Sequence, residues 1–414
     1  MKFTIRSLGC KISQFDSQSL RDGLLATGAV PAGVGEVADI FVINTCTVTK
    51  KSDYQCRQAI RKAVSEKPEG GRVLVTGCYA LTNPDEIKSI PGVDLIAGME
   101  ELINLELSGA NKAAPLTVSS ATGRSRAYLK VQEGCNAYCS YCIVPYARGR
   151  SRSAPSDEII QKADALIKQG FHEIVLTGVH LGAYGGDLTE STNLASLTKK
   201  VLARPGLGRL RLSSLEPGEF DDNMMDVVSS EAGKMLCRHF HLPLQSASDK
   251  VLESMGRRYR FEDYLKVVER LDRLVSGSCI GADVIVGYPI EDRADFEETY
   301  KRIEDSPINY LHVFAYSPRP GTRAYAMGDK VRGDEKKYRS HRLRELAEKK
   351  NAEFRRGFEG NTMTVVVEDK GGNISGLTDN YIRIALTDTN LVPKSAVSVV
   401  IERAEDGTLT GRVK

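Results

Sequence analysis

The chain has 414 residues, 41% hydrophobic and 27% charged, with a net charge of +3 and nine cysteines. That length accommodates two or three domains of roughly 100–200 residues, in the composition range of a soluble globular protein. No apolar run reaches the roughly 18 residues of a membrane helix, and the start, MKFTIRSLGC, alternates like a strand rather than a signal peptide, so a cytoplasmic protein with no membrane partner is expected.

In chain order, KFTIRSLGC, ADIFVINTC and GRVLVTGC read as buried strands, and each ends in a cysteine: Cys10, Cys46 and Cys78. DSQSLRDGLLATGAV and KSDYQCRQAIRKAVSE between them are amphipathic. This β-α-β-α-β pattern predicts a parallel sheet with helices on its faces over residues 1–107. Such sheets bind at the carboxyl ends of their strands, so the three cysteines should converge on one edge. The stretch 108–126 is polar and aperiodic, and reads as a linker.

From Tyr128 the alternation resumes. AYLKVQ, EIVLTG, RLRLSS, HFHLPL, GADVIVG and LHVFAYS are six strands separated mostly by helical segments, a partial (β/α)6 barrel over 127–358 with its site on the carboxyl-end face. After the first of them come Cys135, Cys139 and Cys142, spaced C-x3-C-x2-C. Three is an odd number for disulfides and one short of a closed tetrahedral zinc site. Three thiolates can clamp three irons of a 4Fe-4S cube and leave the fourth open to chelate a small molecule. The alternative, structural zinc, lacks a fourth ligand at suitable spacing; the nearest histidines, His172 and His180, read as packing or cofactor-lining residues. Cys56, Cys237 and Cys279 fall outside both triads and read as buried thiols.

Basic clusters at RGRSRS, RPGLGRLR and GRRYR precede a Lys/Arg-dense helix over 330–357, where Leu343, Leu346, Ala347, Lys350 and Phe354 keep helical spacing. A solvated face explains the helix alone; several clusters together point to a polyanion, nucleic acid first. The last segment, 359–414, has short alternating strands with Gly, Asn and Asp turns, as in a small β-barrel.

GCNAYCSYC resembles the motif of the radical S-adenosylmethionine superfamily, and SLGCK, INTCTVT and VTGCYA resemble the three cysteine segments of its methylthiotransferases. The likeness continues through EIVLTGVHLGAYG, HLPLQSASDKVLESMGRRY and HVFAYSPRPGTRA, and GLTDNYIRI is similar to an RNA-binding TRAM domain. NTCTVT and PYARG look most like the branch acting on N6-threonylcarbamoyladenosine beside the tRNA anticodon; other branches take isopentenyl-adenosine in tRNA or an aspartate of a ribosomal protein. The resemblance implies two 4Fe-4S clusters, one on Cys10, Cys46 and Cys78 and one on Cys135, Cys139 and Cys142, with two S-adenosylmethionine molecules used per product. One would donate methyl to a sulfur at the first cluster. The other, cleaved reductively at the second, would give the 5′-deoxyadenosyl radical that opens C2 of the adenine. It further implies S-adenosylmethionine contacts at Gly178, Glu216 and Gln245, and an electron donor such as a flavodoxin or ferredoxin. Ala247 and Ile290 stand where the family usually has glycine, which puts loop geometry in question but no cluster ligand. The rival of another class is a non-catalytic iron–sulfur sensor that binds RNA.

Overall fold

The computed structural model describes residues 1–99, 101–102, 125–388, 390–403 and 408–414. Nearly all of the expected linker lies outside the described residues; its last residue, Arg126, is anchored, with Nε 3.1 Å from Glu368 Oε1.

The first sheet is wholly parallel, in the order β2-β1-β3-β4-β5, from β1 (Lys2–Ser7), β2 (Val30–Pro31), β3 (Ile40–Thr45), β4 (Arg72–Gly77) and β5 (Leu95–Ile96). Its central strand β3 is buried on both faces, as a continuous apolar run should be. Ile40 and Val42 pack with Leu20 and Leu24 of α1 (Lys11–Ala26) on one face. Phe41 and Ile43 pack with Ala59 and Ile60 of α2 (Lys50–Glu66) on the other. Each such side chain contributes about 1.5–3 kcal/mol when fully buried. A Thr49–Ser52 capping box starts α2.

The six expected barrel strands are present: β6 (Ala127–Glu133), β8 (Glu173–Gly178), β9 (Arg209–Leu212), β10 (His239–His241), β11 (Cys279–Val286) and β12 (Tyr310–Ala315). A two-residue antiparallel strand, β7 (Arg152–Ser153), edges β6. Hydrogen bonding joins β6-β8-β9 and β10-β11-β12, and a Leu210–Leu236 bridge links the halves. Strand β10 stops well short of HFHLPL because Pro243 has no N–H for a ladder. The chain rejoins through a Gln245–Val284 bridge. Ala127, Leu129, Phe240, Ile280, Ala282 and Val284 face the main core. The alternate positions, including Lys130, His241, Asp283 and His312, therefore line the lumen.

Helices of the N-terminal sheet reach the barrel at two places. Phe15 of α1 enters the barrel core, and Asp16 Oδ1 accepts from Lys130 Nζ of β6 at 2.6 Å. At the other side Asp53 of α2 pairs with Arg319, which follows β12, at 2.6 Å.

The tail forms a closed barrel, β13-β14-β15-β17-β16, from β13 (Thr362–Lys370), β14 (Asn373–Thr378), β15 (Arg383–Leu386), β16 (Ala396–Arg403) and β17 (Leu409–Val413). It docks on the amino end of the larger barrel: Arg209 donates to Leu377 O at 2.8 Å, and Arg211 to Asp379 O at 2.9 Å. Tyr381 stacks on His239 with centroids 4.1 Å apart.

The long basic helix runs Gly333–Arg356, and Leu343 and Leu346 are buried as expected. Much of its charge is structural, against the reading of one free basic face. Arg339 is buried against Glu291 at 3.0 Å, and Lys350 donates to the carbonyls of Glu304 and Ser306 at 2.8 and 2.9 Å, closing the end of helix Arg293–Asp305. Among the described residues no helix is long and apolar enough to cross a membrane.

Candidate active site

The N-terminal cysteines occupy one sheet edge. Cys10 is the N-cap of α1, Cys46 directly follows β3, and Cys78 opens the short helix α3 (Cys78–Thr82) directly after β4. The approach depends on Gly77, at φ +92°, where a Cβ would come within 2.4 Å of the Thr45 carbonyl. Thr45 Oγ1 binds Thr76 O at 2.6 Å, locking the two strand ends together. Cys10 is exposed, whereas Cys46 and Cys78 are buried. Burial pushes Cys78 up to about 11 against the pull of Arg148, and it raises Cys46 as well; neighbouring thiols add to both shifts. Beneath Cys46 the buried thiol of Cys56 receives its N–H at 3.3 Å. Cys237 and Cys279 are also buried, as expected.

The second triad lies on the loop after β6. Gly134, at φ +71°, leads into it, and a Cβ there would sit 2.0 Å from Arg150 O. The loop is anchored by Ser140, which donates its N–H to Met255 O at 2.9 Å and accepts from Ala324 N at 2.8 Å. Arg257 donates to Cys139 Sγ at 3.4 Å and pairs with Glu216 at 2.8 Å. His180 Nδ1 lies 3.6 Å from Cys135 Sγ, and its Nε2 is 2.5 Å from Glu219. Burial pushes Cys142 up to about 12, so loading a metal there releases protons.

The two triads meet at one guanidinium. Arg148 ends the helix Val144–Arg148 that follows Cys142, donates from Nε to Cys78 Sγ at 3.3 Å, and holds Asp16 and Glu133 at 3.1 and 2.9 Å. Beside it a cleft of about 880 Å³ is walled by Phe15, Asp16, Cys78, Lys130 and Glu133.

Three sulfurs around one zinc ion would lie within about 4.6 Å of one another, given Zn–S near 2.3 Å. Among the described residues, the one His/Cys/Asp/Glu set whose ligand atoms all fall within 4.8 Å is His241, Asp283 and His312. Both cysteine triads are wider than that. Their all-sulfur donor sets, with arginine N–H groups aimed at two of the sulfurs, suit an iron–sulfur cube and not a single ion.

Gly178, Glu216 and Gln245 all lie at the carboxyl ends of the strands. Gly178 abuts Gln132, whose Oε1 accepts from His180 N at 2.8 Å, so it seats the His180 loop. Glu216 is held by Arg257, and Gln245 takes φ +70° with its N–H on Asp283 O at 2.7 Å. Ala247 is fully buried with its N–H on Thr299, and Ile290 packs with Val251, Met255 and Tyr288. Sequence reasoning missed Arg148, Arg257 and Glu219. Both arginines stood in quoted motifs, but their burial is a tertiary fact.

Residues 129–303 match the radical SAM superfamily model, and residues 2–98 match the model described as uncharacterized protein family UPF0004. A threonylcarbamoyladenosine tRNA methylthiotransferase MtaB of Bacillus subtilis is 35% identical, covering 96% of this chain and 93% of its own. Its namesake in Aquifex aeolicus is 37% identical, covering 93% and 96%. A tRNA-2-methylthio-N(6)-dimethylallyladenosine synthase of Endomicrobium trichonymphae is 32% identical over the whole of both chains. Among solved structures, the radical S-adenosylmethionine methyltransferase TsrM of Kitasatospora setae shares the fold, with a TM-score of 0.57 at 15% identity over 78% of this chain and 76% of its own. Near-full-length identity to these enzymes, together with two sulfur triads at adjoining strand ends, shows that the chain belongs to the radical S-adenosylmethionine methylthiotransferase family.

Proposed function

We propose that this enzyme adds a methylthio group to C2 of N6-threonylcarbamoyladenosine beside the anticodon of tRNA, using two 4Fe-4S clusters and two molecules of S-adenosylmethionine. Arg148, which follows the second triad in sequence and touches Cys78 of the first, supports the two-cluster part of the reading, and the names of the Bacillus subtilis and Aquifex aeolicus relatives support the substrate. Cys135, Cys139 and Cys142 would hold one cluster, and Cys10, Cys46 and Cys78 the other. Bound there, such clusters supply electrons, an open iron for S-adenosylmethionine and a docking point for sulfur.

The chain's own residues orient and enclose. Arg257 bridges the Cys139 sulfur and Glu216, which fixes the wall where S-adenosylmethionine would bind beside Gly178 and Gln245. His180 is held between Cys135, 3.6 Å from its Nδ1, and Glu219, 2.5 Å from its Nε2. Tyr138 and Tyr146, both exposed, flank the second triad edge to face at 5.7 Å and offer stacking surfaces for RNA bases. The same reading takes 1–107, 127–358 and 359–414 as domains, with the last as the tRNA-gripping module and a flavodoxin or ferredoxin as electron donor.

Nucleoside mass spectrometry of tRNA from cells with and without the protein tests this. Loss of the methylthio form of threonylcarbamoyladenosine is expected; loss of the isopentenyl form instead would reassign the substrate. Cys46→Ala should hold about half the iron and still cleave S-adenosylmethionine to 5′-deoxyadenosine, with no methylthio product. Cys139→Ala should lose both. A Cys46→Ala enzyme that methylthiolates normally contradicts the two-cluster assignment.

A further inference from the structure

Below the triads, the lumen wall carries a polar group that the chemistry above does not use. Asp283 of β11 sits directly across the ladder from His312 of β12. One oxygen, Asp283 Oδ1, accepts from His241 Nε2 at 3.0 Å and from His312 Nδ1 at 3.1 Å. That leaves His312 Nε2, 2.9 Å from the Tyr310 hydroxyl, as the nitrogen that donates to an anion when the ring is protonated. The His312 side chain is 47% exposed, so a ligand can reach it. Gly281 makes room beside it: a Cβ would lie 2.8 Å from His241 Nδ1 and 3.3 Å from the Tyr310 ring.

Two further observations point to an anionic group. Lys11 extends from α1 to within electrostatic reach of Asp283, Arg211 and Arg126, yet makes no ion pair or side-chain hydrogen bond among the described residues. His239, 4% exposed and on the same strand face as His241, has both ring nitrogens without a partner. Arg126, Arg209 and Arg211 are matched by Glu173 and Glu368, and Asp283 is shared by two histidines, so Lys11 is the floor cation without a carboxylate partner among the described residues. A lysine without a partner attracts a carboxylate and repels a divalent cation, although His241, Asp283 and His312 have ligand spacing.

We propose that His312, oriented by Asp283, and Lys11 bind the carboxylate of the arm on N6 of the target adenine, and so select an acidic arm over an apolar one. This rests on the threonylcarbamoyladenosine reading. On the adenine ring C2 and C6 flank N1 and their outward bonds diverge, so with C2 at the sulfur triads the N6 arm occupies another part of the lumen, where this floor offers the charge. An isopentenyl arm would leave Lys11 desolvated without a partner, a penalty that makes polar sites discriminating.

The test uses the full-length, cluster-loaded protein and three anticodon stem–loop RNAs that differ only at N6 of the target adenosine: unmodified, threonylcarbamoyl or isopentenyl. Wild type should bind the threonylcarbamoyl RNA most tightly. His312→Gln should lose roughly tenfold or more of that preference, as for a hydrogen bond to a charged group, while binding unmodified RNA as before. Lys11→Gln should act in the same direction. If both variants keep the preference, or weaken all three RNAs alike, the inference is overturned. Bound manganese or zinc that disappears in His312→Gln would make the group a cation site and also overturn it. Product analysis on wild type judges the underlying reading separately: methylthiolation of the isopentenyl RNA alone refutes that reading, whatever the variants do.

Discussion

Arg148 Nε lies 3.3 Å from the sulfur of Cys78, although one residue belongs to the barrel and the other to the N-terminal sheet. The same guanidinium separates Asp16 from Glu133, which would otherwise repel each other. Arg148→Met should therefore destabilise the protein by about 3–5 kcal/mol, the cost of breaking a buried pair on one side. Urea denaturation measures that, and iron per chain after reconstitution should fall too. Arg148→Lys, which keeps charge but not the fork, should land between the two. Wild-type stability and iron content in Arg148→Met would show the contact to be incidental.

Glu173 predicts how the fold responds to acid. Burial alone would raise its carboxyl, but Arg211, Arg209 and Arg126 outweigh burial and hold it at about 2, from an ordinary 4.5. A depressed carboxyl stabilises the fold fully above its unfolded value, and that contribution drains away as pH falls from about 4.5 toward 2. The shift corresponds to about 3 kcal/mol. Glu173→Gln should lower stability at pH 7 and flatten its dependence over that window, read from denaturation midpoints at pH 7, 4 and 3. An unchanged slope would show that other carboxylates govern acid unfolding.

Removing Gly360–Lys414 is not a clean test of RNA binding. Arg211 is fully buried under the small barrel and bonds Asp379 O and Thr378 O, and Tyr381 covers His239. Truncation should lower the melting temperature of what remains. The sharper experiment is Arg412→Gln with Lys414→Gln, two exposed positions where charge adds little to folding. tRNA affinity and its salt slope should drop while melting stays put. The reverse pattern would move the RNA surface elsewhere.

Two neighbouring lysines on the helix Gly333–Arg356 should behave differently. Lys350→Gln removes the donor to Glu304 O and Ser306 O and should lower stability by about 1 kcal/mol. Lys349 and Arg356 are exposed, and changing both to Gln should weaken tRNA binding with no thermal shift. Filter binding and calorimetry on the two variants separate the roles. Equal loss of affinity in both would restore the simpler picture of one basic face.

What was legible in the chain was local. Apolar runs stopping at Cys46 and Cys78 announced strand ends, because burial on both sheet faces demands continuous hydrophobicity. The C-x3-C-x2-C spacing announced a three-thiol clamp for the same local reason. The partnership of Asp16 with Lys130 spans 114 positions, and nothing in an ordinary amphipathic helix signals that one of its acids crosses to another domain. Arg211, Arg257 and Lys350 looked like surface charge because a basic cluster reads alike whether solvated or buried. Tyr381 sat in a turn motif, and its stacking on His239 depends on how the tail docks.

Among the described residues the barrel has six parallel strands and does not close on itself. Among the described residues, β12 ends its sheet, and β6 is paired on its outer side only at Gln132 and Glu133. Open strand edges template pairing with other chains. The N-terminal helix Lys11–Ala26 meets one margin, through Phe15 and Asp16 at β6, and the helix Gly333–Arg356 packs along β12 at the other. Each therefore shields an edge from pairing with other chains. A core expressed from Ala127 onward should self-associate, and a co-expressed 1–102 fragment should restore a monodisperse particle.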